Sequence, residues 1–123
     1  MYELTVRSAF EAAHFIDGYA GKCSRLHGHN WIIEAVVRGE ELDNLGMLID
    51  FKILKAELNK VLEEFDHRFL NELKVFAEEN PTAENLARKI YKKLAAAEIF
   101  SGAAKLYAVK VFETPNSCVT YYE

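Results

Sequence analysis

Cys23-Ser24-Arg25-Leu26-His27-Gly28-His29 runs directly into Asn30-Trp31-Ile32-Ile33-Glu34-Ala35-Val36-Val37. The second half has the β-branched and aromatic content of a strand, so the two histidines stand where a loop enters a sheet. Side chains two apart on a strand point the same way, which puts His27 and His29 on one face with Trp31, Ile33, Ala35 and Val37. That face is the apolar one. The N-terminal stretch has a matching register: Tyr2, Leu4, Val6, Phe10 and Ala12 alternate with Glu3, Thr5, Arg7 and Glu11, and the even series continues to His14. Two strands therefore bring three histidines to one inward surface.

A lone buried histidine is ordinarily a hydrogen-bonded core residue, and His14 by itself has that reading. The pair at 27 and 29 changes the balance. Two imidazoles on one buried face each need a partner, and a shared metal satisfies them together. Three neutral imidazoles suit Zn²⁺, which takes histidine nitrogen readily and keeps a fourth position open when it is catalytic. Cys23 is either a fourth ligand closing a structural site or a free thiol beside the ion; its spacing does not choose.

The 123 residues are 50% hydrophobic and 28% charged, which suits one domain, residues 1–123, with a single core. Neither repeats nor low-complexity tracts interrupt them. The N-terminus lacks the basic start and apolar run of a signal peptide, and no stretch is apolar enough to span a bilayer. A cytoplasmic protein is expected, and with it free thiols at Cys23 and Cys118. A formal charge of −4 with no basic run argues against general nucleic-acid binding but leaves room for an anionic small substrate. Lys22 and Arg25 beside Cys23 are either cations for such a substrate or two solvated loop charges.

Further along, the turn formers from Gly39 to Gly46 end the second strand, and Asp50 caps a helix in which Phe51, Leu54, Leu58, Val61, Leu62 and Phe65 recur at helical spacing. Asp66 and His67 read as residues of that helix's end. Asn80-Pro81-Thr82-Ala83-Glu84-Asn85 begins a second helix, capped at Asn80 or Thr82, buried through Leu86, Ile90, Leu94 and Ala97, and closed by Ser101-Gly102. Leu106 to Phe112 and Cys118 to Tyr122 form a hairpin about the turn at Thr114–Ser117. Glu113 falls on the side of Tyr107, Val109 and Val111; it is either a surface carboxylate or an acceptor for two N–H groups of an amidine-like ligand edge. Two strands, two helices and two strands predict an α+β domain: a four-stranded antiparallel sheet with two helices on one face. Two open edges then predict a symmetric oligomer whose sheets join.

Taken together, Phe10-Glu11-Ala12-Ala13-His14, Cys-x-x-x-His-Gly-His at 23 to 29, Gly46-Met47-Leu48-Ile49-Asp50-Phe51, Asp66-His67, Pro81-Thr82-Ala83-Glu84-Asn85 and Glu113 resemble the 6-pyruvoyl-tetrahydropterin synthase superfamily over nearly the whole chain. The three-residue gap between Cys23 and His27 is similar to its 6-carboxy-tetrahydropterin synthase branch, the queuosine-pathway lyases. A pyruvoyl-forming branch usually has a longer gap, and a folate-pathway branch has Glu in place of the cysteine. The resemblance implies a tunnelling fold (T-fold), an oligomeric barrel of paired trimers (a homo-hexamer) with sites at subunit interfaces, and zinc on His14, His27 and His29. It further implies 7,8-dihydroneopterin triphosphate as substrate, Cys23 as the proton-abstracting thiol, and Asp66 and His67 as its partners from a neighbouring subunit. Glu113 would hold the pterin ring, with Thr82 and Glu84 near it. The implied reaction is zinc-dependent carbon–oxygen and carbon–carbon lysis, releasing triphosphate and acetaldehyde and leaving 6-carboxy-5,6,7,8-tetrahydropterin.

Overall fold

In the computed structural model, which describes residues 1–123, the N-terminal alternation becomes β1 (Tyr2–His14) and the histidine-led stretch becomes β2 (His27–Gly39). The two pair antiparallel along their whole length, with Tyr2 opposite Gly39 at one end and His14 opposite His27 at the other. All three histidines therefore lie within the ladder. On the far side of β2, β4 (Lys105–Thr114) pairs antiparallel and is followed by β5 (Ser117–Tyr121).

The sheet corrects the sequence reading in two respects. It has five strands and is mixed, in the order β3-β1-β2-β4-β5, because β3 (Arg68–Phe69) adds a two-residue strand parallel to β1 at Ala12 and Ala13. Two residues are too short to carry any alternation, so no periodicity announces them. A bulge opposite Val36 and Val37 also shifts the register of β4. Leu106 pairs with Val37 on the inward face, and Tyr107, expected beside Val109, lies instead under Arg38, whose guanidinium is 3.3 Å from its ring centre. Bulges add one residue to one strand and so reverse the alternation beyond them.

Both helices cover the inward face. Asp50 accepts the Lys52 N–H at 2.7 Å and starts α1 (Phe51–Leu62), which buries Leu54, Leu58 and Leu62 on one stripe. Phe51, expected on that stripe, is exposed, and Phe65 is buried beyond the helix end, in the turn that follows. Thr82 caps α2 (Ala83–Ala95), its hydroxyl accepting the Asn85 N–H at 3.1 Å, and Leu86, Ile90 and Leu94 lie fully buried. α2 stops at Ala95, short of Ser101-Gly102, because Ala97 turns to an extended conformation; a separate 3₁₀ turn then tucks Phe100 into the core. Burying one such leucine contributes about 1.5–3 kcal/mol. The helical stripes and the inward residues of β1, β2 and β4 form one cluster with Trp31 and Ile33 completely enclosed. No helix is long and apolar enough to cross a membrane.

Two asparagines then pin the chain as it leaves β1. Asn71 exchanges a pair of 3.0 Å hydrogen bonds with the backbone of Phe15, and Asn80 does the same with Asp17. Each side-chain amide imitates a strand neighbour, so the segment after His14 is held without a strand beside it.

At the opposite end, Gly39 closes β2 where a Cβ would lie 2.7 Å from the Ala103 carbonyl oxygen and against the Leu48 side chain. Gly39→Ala is therefore expected to lower stability by about 1–3 kcal/mol through overpacking. In urea the midpoint should fall with an unchanged slope; a midpoint equal to the parent's would mean that the strand end moves aside freely.

Candidate metal centre

His14 and His27 face each other across the last rung of the β1–β2 ladder, and His29 stands opposite Ala12 one inward position further on. The three ring centres are 4.5, 4.8 and 5.1 Å apart, and the rings meet edge to face. Trp31, next on the same face of β2, forms the floor: its ring centre is 5.0 Å from that of His14 and 5.1 Å from that of His29, and its indole N–H donates to the Ala12 carbonyl at 3.2 Å. The fourth wall comes from β4. Val111 pairs with Ile33, and Glu113, two residues on along the same face, brings Oε1 to 3.3 Å from His29 Nε2. One ligand atom from each of His14, His27, His29 and Glu113 lies within 4.8 Å of every other.

Two backbone carbonyls decide which ring atoms converge. His14 Nδ1 lies 2.7 Å from the Pro81 oxygen and His27 Nδ1 2.7 Å from the Arg25 oxygen; a carbonyl only accepts, so both rings carry their proton on Nδ1 and turn an Nε2 lone pair inward. Such outer hydrogen bonds are what orient metal-ligating histidines. The Nε2 atoms of His14 and His29 are buried with no hydrogen-bond partner, the Glu113 oxygen approaching His29 without hydrogen-bond geometry. Buried unpaired nitrogens carry a free-energy penalty, and a cation between them removes it. Burial, chiefly, pushes both His14 and His29 below the ordinary imidazole value; the Pro81 carbonyl opposes this at His14 and the Glu113 carboxylate at His29. Three nitrogens and one carboxylate oxygen make a donor set that a divalent zinc-like ion fits.

The other expected residues fall into two groups. Asp66 and His67 follow α1 in a turn against β1: Asp66 Oδ1 is 2.9 Å from His67 Nδ1 and accepts the Glu11 N–H at 3.1 Å. Together these hydrogen bonds, that from Glu11 first, hold the Asp66 carboxyl below the usual carboxylate range. His67 borders a cleft of about 530 Å³ whose other walls include Glu11, Gly28, His29, Asn30 and Arg68. Cys23, by contrast, does not line it. The cysteine is half-buried on the 3₁₀ turn Lys22–Ser24, where its carbonyl accepts the Ile16 N–H at 2.7 Å; both it and Cys118 are free thiols. Thr82 is engaged as the α2 cap, and Glu84 is exposed on the first turn, close in sequence to the Pro81 carbonyl that holds His14.

Glu113 beside the histidines is the residue whose position the sequence reading left open. Its inward register was legible, but the closeness of β4 to the histidine rung depends on sheet order. The orienting carbonyls of Arg25 and Pro81 left no signal, since any residue supplies a carbonyl.

A family model described as 6-pyruvoyl tetrahydropterin synthase matches residues 3–123. Among similar proteins, the 6-carboxy-5,6,7,8-tetrahydropterin synthase of Synechocystis sp. is 37% identical over 93% of this chain and 88% of its own length. The Bacillus subtilis protein of the same name is 36% identical over 98% of this chain and 84% of its own. Among solved structures, 6-pyruvoyl tetrahydropterin synthase of Caenorhabditis elegans superposes with a TM-score of 0.86 at 32% identity, covering 99% of this chain and 95% of that one.

Two measurements probe the centre. His27→Ala and His29→Ala should each lose most bound zinc by elemental analysis, because two imidazoles hold the ion far less well than three; full metal content in both variants would remove the assignment. The metal-free protein should lose stability as pH falls. With His14 and His29 below their ordinary value in the folded state, the unfolded chain binds more protons below about pH 6.5, so stability is present above that pH and declines beneath it. Thermal melts from pH 7.5 downward should record the decline, and His14→Gln should make it shallower.

Proposed function

The chain belongs to the 6-pyruvoyl tetrahydropterin synthase family, and from that premise we propose that it is a zinc-dependent 6-carboxy-5,6,7,8-tetrahydropterin synthase acting on 7,8-dihydroneopterin triphosphate. Pterin synthase activity at the level of the family follows from the relatives. The choice of the carboxy-forming reaction is supported by the three-residue gap between Cys23 and His27 and by the names of the Synechocystis and Bacillus proteins. The observation that carries the reading is the convergence of His14, His27 and His29, two of them with buried unpaired Nε2 atoms, beside the Glu113 carboxylate.

His14, His27 and His29 would hold the zinc ion, which when bound supplies Lewis acidity to the hydroxyl groups of the substrate side chain. Cys23 would take the carbon-bound proton. His67, with Nδ1 held by Asp66, would pass protons through Nε2, and an imidazole does this in either direction near neutral pH. Because Cys23 does not border the cleft of its own chain's His67, the dyad is assigned to the thiol of an adjoining copy. Glu113 would hold the N–H edge of the pterin ring, a pairing that suits a carboxylate, with Thr82 and Glu84 at the ring's side.

A multi-chain site agrees with the edges of the sheet. β3 covers β1 only at Ala12 and Ala13, so most of β1 has an unpaired edge, and β5 ends the other side. Natural proteins cover such edges, and joining sheets between copies does so by symmetry. We assign the single domain, residues 1–123, to a T-fold barrel of paired trimers in the cytoplasm, as part of queuosine-type 7-deazapurine synthesis.

Incubating the zinc-loaded protein with 7,8-dihydroneopterin triphosphate should release triphosphate and acetaldehyde and leave 6-carboxy-5,6,7,8-tetrahydropterin by mass spectrometry. A product that stops at 6-pyruvoyl-tetrahydropterin would move the chain to the other branch. Cys23→Ala should cut turnover about 100- to 10,000-fold, the range for losing an acid–base group, with zinc content and melting temperature unchanged. Loss of zinc in that variant would instead make Cys23 a ligand.

A further inference from the structure

Glu11 lies between two inward residues of β1, Phe10 and Ala12, and itself points outward, opposite Asn30 of β2. In the sequence it is an ordinary polar residue of an alternating strand. Its surroundings are less ordinary. His67 has φ +56°, and no other non-glycine residue of the chain has a positive φ. A β-carbon disfavours this left-handed conformation, which persists only where neighbours determine it. Here the neighbour is Glu11: its carbonyl accepts the His67 N–H at 2.6 Å, and its own N–H donates to Asp66 Oδ1 at 3.1 Å. One residue of β1 thus grips both residues of the turn through its N–H and its carbonyl.

The side chain of Glu11 continues the pattern. Asp66 Oδ1 lies 2.9 Å from His67 Nδ1, and Glu11 Oε2 lies 3.5 Å from Nε2 on the other side of the ring. The imidazole stands between two carboxylates on the wall of the cleft that also contains His29. At 2.9 Å the Asp66 contact is a good hydrogen bond, whereas 3.5 Å is long for one. Asp66 therefore accepts the Nδ1 proton, and the Glu11 carboxylate on the Nε2 side attracts the ring whenever Nε2 carries a proton, which orders the imidazole between the two carboxylates.

We infer that Glu11 is a positioning residue for His67: its backbone holds the turn in the left-handed conformation and its carboxylate keeps Nε2 aimed into the cleft. This rests on the reading of His67 as the group that transfers protons. Glu11 and His67 are largely exposed in the single chain, so the side chain can be changed without disturbing the core.

Glu11→Ala keeps the backbone grip and removes only the carboxylate. In the zinc-loaded variant, kcat should fall about 10- to 100-fold, with KM changing by less than about 3-fold because substrate contacts remain. Zinc content should be unchanged and the melting temperature should stay within about 2 °C of the parent's. By NMR relaxation, the His67 ring C–H bonds should become more mobile. Glu11→Asp, which restores a carboxylate, should recover part of both the kcat and the ring order. Parent-like kcat and ring order in Glu11→Ala would overturn the inference. So would a kcat loss that runs in step with lost zinc and lower stability, since that is a structural effect. If the parent does not turn over the pterin triphosphate at all, the proposed function fails. The ring measurement, made without substrate, then decides on Glu11 alone: higher mobility in the alanine variant supports it and unchanged mobility overturns it.

Discussion

The antiparallel register of β1 on β2 is the constraint on which the other features depend. Each inward residue of one strand faces an inward residue of the other, from Leu4 and Val37 to His14 and His27. A slip of β2 by one residue would turn its inward residues to the opposite face, exposing Trp31 and Ile33 and parting His27 and His29 from His14. The same burial that stabilises the core therefore holds the three histidine side chains in place. The apolar end of the sheet enforces a register whose consequence is felt at the polar end.

Placing three imidazoles at the edge of a core carries an energetic penalty that the surroundings partly offset. The Pro81 and Arg25 carbonyls satisfy the outer nitrogens of His14 and His27, and Trp31 packs beneath the rings. The inner nitrogens of His14 and His29 remain unpaired, and the Glu113 carboxylate lies close to His29. Burial favours the neutral, metal-binding form of His14 and His29. The cluster is thus arranged as a cation would need it, and an ion held there would have to compensate for that desolvation.

Asp66 and His67 are held differently. The histidine cluster stands on a continuous ladder, while Asp66 and His67 occupy a turn with a left-handed residue, gripped by one strand residue. A ladder transmits its rigidity along many residues; a turn is held by its own few hydrogen bonds. The inward-facing histidine cluster thus stands on a rigid ladder, while Asp66 and His67 form a locally determined rim, His67 bordering a cleft whose lining also includes His29.

The strands, the two helices and the inward placement of His14, His27, His29 and Glu113 were legible in the sequence, because period and capping are local and burial enforces them. The combination of motifs was also specific enough to indicate the family. Some features needed the tertiary structure. The strand at Arg68–Phe69 is too short to have a period, and it exists only because the chain after α1 returns to β1. The bulge that turns Tyr107 away from Val109 answers to a neighbouring strand, not to residue type. The convergence of Glu113 with three histidines from two other strands required the order β1-β2-β4. The grip of Glu11 on a histidine 56 residues later arises from chain return and main-chain hydrogen bonds. Alternation and helical spacing report which way a side chain faces; which distant residues meet it there depends on how the elements assemble, and one chain's periodicity does not encode that.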